Sequence, residues 1–147
     1  MKNLLALFIA TLFTLPALAQ KVPMNSATYD VKILRVSDGD TIVIAAPYLP
    51  APLKPEIAVR IYGVDTPEKG HRAQCAQELQ KAQMASNYTK QFVTQSGKIQ
   101  VTLYSWDKFG GRVLGDIIVN GQSVRNGLIA NGLAREYYGE AKQSWCQ

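Results

Sequence analysis

The chain has 147 residues, 47% of them hydrophobic and 18% charged, with 16 Lys and Arg against 11 Asp and Glu for a net charge of +5. That length accommodates one domain core but not two with a linker, and the apolar fraction excludes a disordered chain. The 11 Gly and 7 Pro are too few for a collagen-like or low-complexity protein, while the basic excess is compatible with a polyanionic partner without requiring one.

The first predicted element is Met1–Ala19. One cation, Lys2, precedes an apolar run from Leu4 to Leu15, followed by Pro16 and the small-residue stretch Ala17-Leu18-Ala19. This is the three-part layout of a secretory signal peptide. The run is about a dozen residues, short of the ~20 that span a bilayer. Cleavage after Ala19 would leave residues 20–147 as a single exported domain, secreted or periplasmic. Loss of Lys2 lowers the cationic excess from five to four. Export to an oxidising compartment permits disulfides. Cys75 with Cys146 is the one possible intrachain pair; two free thiols or an intermolecular bond are the alternatives. With His71 alone beside them, the two cysteines make a poor zinc site.

Lys21–Ala27 carries no periodic signal and is expected to be a loose arm. Tyr29, Val31 and Ile33 alternate with polar residues, the period of a half-buried strand. Ser37-Asp38-Gly39-Asp40 is turn chemistry, and the β-branched Thr41–Ala45 reads as the returning strand. Pro47, Pro50, Pro52 and Pro55 mark a loop. Ile57–Val64 is the predicted third strand, followed by the irregular turn Asp65–Gly70. No Gly or Pro interrupts Cys75–Gln95, where Leu79, Ala82, Ala85, Tyr88 or Thr89, and Phe92 or Val93 recur at helical spacing. Ile99, Val101 and Leu103 alternate in a fourth strand, Asp107–Gly111 is a turn, and Val113–Val119 is a fifth strand. Asn120-Gly121 is a tight-turn signal, and a short helix is expected over Ser123–Asn131. Leu133–Gln147 is aromatic and polar without clear period. Five strands with a helix between the third and fourth is the layout of a small OB-type barrel, in the mainly β, α+β class, although other α+β folds fit the same order.

Acids gather in two turns: Asp38 and Asp40 in SDGDT, Asp65 and Glu68 in VDTPE. Asp38, beside Gly39, reads as a turn-capping residue. Asp40 and Asp65 lie at strand ends, and if those strands are neighbours two hard oxygen ligands meet at one rim, part of a Ca²⁺ or Mg²⁺ site. Arg60 stands within the apolar strand VRIYGV, where an arginine is uncommon unless paired or functional. Arg112 follows a glycine turn. Singly, each of these is explained by structural ion pairs. Together, acids and arginines around one metal are what phosphodiester hydrolysis requires. His71 is expected to be solvated or to face nucleic acid. Trp106 and Trp145 are read as packing residues. Lys69, Arg72, Lys81 and Lys108 form either a phosphate track or a solvated basic face.

Val36–Thr41, Arg60–Glu68, Asp107–Arg112 and Asn131–Ala134 together resemble the motifs of the staphylococcal (micrococcal) nuclease, or thermonuclease, family of Ca²⁺-dependent secreted nucleases. The resemblance spans about Val31 to Tyr138, and it agrees in motif type, order and the Arg60-Asp65-Glu68 spacing. It implies a five-stranded OB-fold barrel with a helix between strands 3 and 4 and a short C-terminal helix. It implies a monomeric nuclease indifferent to the sugar, cutting the bond from phosphorus to the 5′ oxygen in DNA and RNA, single-stranded or frayed, and leaving 3′-phosphates. It assigns Asp40, Asp65 and the Thr41 carbonyl to Ca²⁺, Glu68 to the attacking water, and Arg60 and Arg112 to the phosphate. Lys108 and Phe109 fall at nucleotide-contacting positions, and Tyr137 and Tyr138 lie near the stacking tyrosines, the match being to one or the other. There are departures. Gly110-Gly111 adds one residue before Arg112, which could displace it, and Phe109 replaces a tyrosine. The sequence also reaches Gln147 before that family's last helix, and Cys75–Cys146 is expected to pin the shortened tail to the first helix. A non-enzymatic OB-fold nucleic-acid-binding module, or a structural domain whose acids merely pair with its arginines, would carry many of the same residues.

Overall fold

The computed structural model describes residues 27–146, so the expected signal peptide, Met1–Ala19, lies outside the described residues, as does nearly all of the N-terminal arm. Nine strand segments and two α-helices follow in the order β1 (Tyr29–Asp30), β2 (Ile33–Asp38), β3 (Thr41–Ala45), β4 (Glu56–Ile61), β5 (Val64–Asp65), α1 (Ala76–Val93), β6 (Ile99–Trp106), β7 (Arg112–Val119), β8 (Gln122–Ser123), α2 (Val124–Ala130) and β9 (Arg135–Glu136). A single 3-10 turn, Gly70–Arg72, precedes α1. The fold is α+β.

The main sheet runs β1-β6-β7-β4-β3-β2, with β8 beside β7, and β5 and β9 form a separate pair. All pairings are antiparallel except β4 with β7. The expected barrel is not seen as a closed ring of paired strands. The two edges of the sheet, β1 and β2, belong to one stretch of chain interrupted at Val31-Lys32. That interruption bonds in both directions: Val31 N–H donates to Ile99 O at 3.1 Å, and Lys32 O accepts from Ala45 N–H at 2.9 Å.

The β-branched run Thr41–Ala45 lies between β2 and β4 and is nearly wholly buried, as expected for residues that fill both faces of a central strand. Its Ile42 and Ile44 join Val59, Ile61, Val101, Ile117 and Val119 in one core. Helix α1 closes that core with Ala85, Phe92 and Val93, and α2 with Val124 and Leu128. Cys75 caps α1, its sulfur accepting from Glu78 N–H at 3.4 Å, and Ser123 caps α2 by accepting from Asn126 N–H. The helix also fixes the turn between β2 and β3. A Cβ on Gly39 would come within 2.8 Å of the Ala85 Cβ, so only glycine lets the turn sit directly on α1. Thr89 Oγ1 locks it there by donating to Gly39 O at 2.6 Å.

Three expectations need correction. The third strand does not run through to Val64; it ends at Ile61 and resumes as β5, because Gly63 adopts φ +75 with Tyr138 against its Cα. Leu79 is exposed on α1, and the neighbouring Glu78 is buried in its place. The aperiodic tail contains β9, which pairs Glu136 with Val64 and Arg135 with Asp65. The helix itself, expected over Cys75–Gln95, forms as Ala76–Val93 between its caps Cys75 and Thr94.

Candidate functional site

Adjacent strands bring together the first charged pair. Thr41 opens β3 directly opposite Arg60 of β4, so the carboxylate preceding Thr41 meets the guanidinium. Arg60 Nη1 donates to Asp40 Oδ2 at 2.5 Å, and its Nη2 donates to Val64 O at 3.3 Å. Thr41 Oγ1 donates to the other Asp40 oxygen at 3.1 Å. Burial works against the charge on Arg60, but Asp40 outweighs it, helped by Asp65 and Asp107, and the guanidinium is held more strongly protonated than usual.

The second group lies on the turn after β5. Asp65 is 5% exposed, and its Oδ2 accepts from Trp145 Nε1 at 3.3 Å. Its Oδ1 stands 2.7 Å from Lys142 Nζ, an ion-pair distance, yet it is not aligned as a hydrogen bond. Lys142 Nζ also donates to Glu68 Oε1 at 3.1 Å, and the other Glu68 oxygen pairs with Arg72 Nε at 3.3 Å. Partial burial disfavours the Lys142 charge, but the two carboxylates more than compensate and hold its proton more tightly than usual. Glu78 secures this turn from behind: its two oxygens accept from Glu68 N–H at 3.2 Å and Gln74 N–H at 2.8 Å. The disulfide Cys75–Cys146 forms and anchors the tail to the start of α1.

The turn between β6 and β7 supplies the third group. Arg112 Nη2 bonds Asp107 Oδ2 at 2.6 Å, so the extra glycine leaves Arg112 at the site with a buried acid to orient it. Asp40, Thr41, Arg60, Glu68, Lys108, Phe109, Arg112, Tyr137 and Tyr138 all line one cleft of about 560 Å³, and the buried Asp65 falls between two further lining residues, Val64 and Thr66. Tyr138 packs edge-on to Tyr62 at 5.6 Å, and its hydroxyl accepts from Arg125 at 2.9 Å. Tyr137 lies under Lys142, 5.9 Å from ring centre to Nζ. Lys108 rests over the Phe109 ring.

Trp145 is buried, as expected, with the Arg135 guanidinium 3.9 Å from its ring centre. Trp106 contradicts the packing reading: it is 71% exposed and lines the cleft beside Phe109, itself 78% exposed. A register shift in β6 between Leu103 and Ser105 breaks the inward alternation just before it. Asp38 does more than cap its turn, since it pairs with Lys69 at 2.9 Å. His71 is exposed in the 3-10 turn. Lys142 and Glu78 were not anticipated. Lys142 lies in an aperiodic tail, and Glu78 gives only the faint signal of an acid three residues after a helix cap.

Two buried carboxylates and a nearby backbone carbonyl are hard oxygen donors, which suit a divalent cation such as Ca²⁺. The Asp65 oxygen without an aligned donor is where such an ion would fit. Among the described residues no group of three or more His, Cys, Asp or Glu is placed to hold a metal ion. No helix among the described residues is long and apolar enough to cross a membrane. The family model described as staphylococcal nuclease homologue matches residues 58–145. None of the curated proteins matches the chain.

Proposed function

The chain belongs to the staphylococcal nuclease homologue family, and from that premise we propose that it is an exported, Ca²⁺-dependent nuclease hydrolysing phosphodiester bonds of DNA and RNA to 3′-phosphate products. The observation that carries this reading is the one cleft lined together by Arg60, Arg112, Asp40 and Glu68, with the buried Asp65 set between the lining residues Val64 and Thr66. The two edges of the sheet meeting at Val31-Lys32 support an OB-like barrel as its scaffold.

Asp40, Asp65 and the Thr41 carbonyl would hold the Ca²⁺, which when bound supplies Lewis-acid polarisation of the phosphoryl oxygens. Arg60 and Arg112 grip the phosphate. Each is held in orientation by a buried acid, so charge gained by the phosphate on approach to the transition state meets donors already in place. Glu68 takes the proton from the attacking water. The new bond joins water oxygen to phosphorus, the bond from phosphorus to the 5′ oxygen breaks, that oxygen takes a proton from solvent to become the 5′-hydroxyl, and the phosphate stays on the 3′ side. Trp106 and Phe109 offer stacking surfaces for unpaired bases, which favours single strands and frayed ends. No group of the cleft is arranged to read base edges, so sequence preference is low. The Cys75–Cys146 bond fits an oxidising compartment, secreted or periplasmic, and one chain carries the residue set, so a monomer suffices for the proposed chemistry.

Digestion of labelled single-stranded DNA, duplex DNA and RNA tests this. Cleavage with Ca²⁺ and none with chelator is expected. Intact nucleic acid in the presence of Ca²⁺ refutes it. One observation favours a second reading, a non-enzymatic OB-fold binding module: Asp40, Asp65, Glu68 and Asp107 each already have a basic partner. Oligonucleotide binding without cleavage would select it.

A further inference from the structure

The carboxylates around the cleft are already charge-compensated. Asp38 pairs with Lys69, Asp40 with Arg60, Asp107 with Arg112, and Glu68 with both Arg72 and Lys142. Asp65 pairs with Lys142 at 2.7 Å. A divalent ion entering this end of the cleft must displace one of these cations. Arg60 is poorly placed to leave: its side chain is 16% exposed and is anchored a second time on Val64 O. Lys142 is different. Its side chain is 46% exposed, its flexible stem reaches in from the segment after β9, which has neither helix nor strand, and its ammonium bridges both acids of the turn.

The backbone that carries Lys142 is nonetheless held on both sides. Upstream, β9 pairs with β5. Downstream, Arg135 Nη1 donates to Gln143 O at 3.3 Å and Ser144 O at 2.9 Å, and Cys146 is bonded to Cys75. The tail stays in place while the side chain can swing.

On the footing of the metal-dependent reading above, we infer that Lys142 is a tethered internal cation, steadied by Glu68, that competes with the divalent ion for Asp65 and thereby sets the affinity of the site. Metal entry expels the ammonium from Asp65. The freed Nζ remains within the cleft, where a substrate phosphate is its natural counter-ion. Ion affinity and substrate contact are then linked through one side chain, since the apparent Kd of a cation that binds only the form with Lys142 withdrawn is its intrinsic Kd divided by the fraction of molecules in that form.

The test is Ca²⁺ titration by calorimetry on the full disulfide-bonded protein without nucleic acid, comparing wild type with Lys142→Met and Lys142→Arg. Removing the competing charge is expected to tighten Ca²⁺ binding about tenfold or more, and Lys142→Arg, which keeps the charge, should stay within about threefold of wild type. Lys142→Gln gives the same readout should methionine disturb the tail. Equal Ca²⁺ affinity in wild type and Lys142→Met, weaker binding in the variant, or equal tightening by Met and Arg overturns the inference and leaves the metal-dependent reading intact. Absence of Ca²⁺ binding in every protein overturns that reading, and the inference with it.

Discussion

Replacing both Cys75 and Cys146 by serine should loosen the end of the tail, leaving it only the non-covalent contacts of Arg135, Lys142 and Trp145. The bond joins residues 71 apart in sequence, and for a loop of that size the chain-entropy model gives about 4 kcal/mol of stabilisation. At about 4 °C of Tm per kcal/mol for a domain of this size, the double variant should melt about 15 °C below the oxidised parent. A local reporter is built in. Trp145 is buried next to Cys146, stacked on Arg135 and bonded to Asp65. When the tail is freed it should enter water and its fluorescence should shift to the red. Because Trp106 is exposed and would add a constant red background, the comparison is made in a Trp106→Phe protein, with thermal melts followed by circular dichroism. A loss of Tm below about 3 °C, together with unchanged Trp145 emission, would show that the tail docks without the bond and would refute the reasoning.

Trp106→Ala should weaken binding of a short single-stranded oligonucleotide, measured in chelator to prevent cleavage, by about 5- to 100-fold, the worth of one base-aromatic stack; unchanged affinity would return the residue to mere surface. Its Tm should not move, since the side chain is largely exposed. Burial raises the Asp116 pKa, a shift its bonds from Ser123, Arg125 and Ile117 only partly offset. Above the ordinary aspartate value of about 4, the unfolded chain ionises Asp116 while the folded chain still holds its proton, so stability falls until the raised folded value is passed. Asp116→Asn, which can keep bonds to all three partners, removes that slope. The variant should therefore gain on the parent in urea unfolding as pH rises from 3 to 7, and the opposite trend would contradict the assignment.

The long periodic elements were legible because each residue's burial follows from its spacing. The alternating β6 and β7 and the uninterrupted α1 lie close to where the pattern puts them. Departures arise where a tertiary partner overrides the local pattern. On α1 apolarity favours Leu79 for the buried face, but Glu78 takes it because two amides of the preceding turn need an acceptor. The segments β5, β8 and β9 have two residues each, too few to show any period, and exist through pairing with distant chain. The candidate site divides similarly. Its acids and arginines stood out by residue type in strand-end turns, whereas Lys142 is one cation among many until the disulfide and β9 carry it to Asp65. Trp106 was misread because composition favours burying an indole and the register shift in β6 leaves no trace in sequence.

The central claim is that the residues of this cleft hydrolyse phosphodiesters, and Glu68→Gln tests it most directly. The substitution keeps the size of a half-buried side chain and leaves the Glu68 backbone bond to Glu78 untouched. Single-turnover cleavage of an end-labelled oligonucleotide in Ca²⁺, with analysis of product ends, should show 3′-phosphates from wild type and a rate about 10²- to 10⁴-fold lower for the variant, with Tm nearly unchanged. Equal rates in the two proteins would contradict the account.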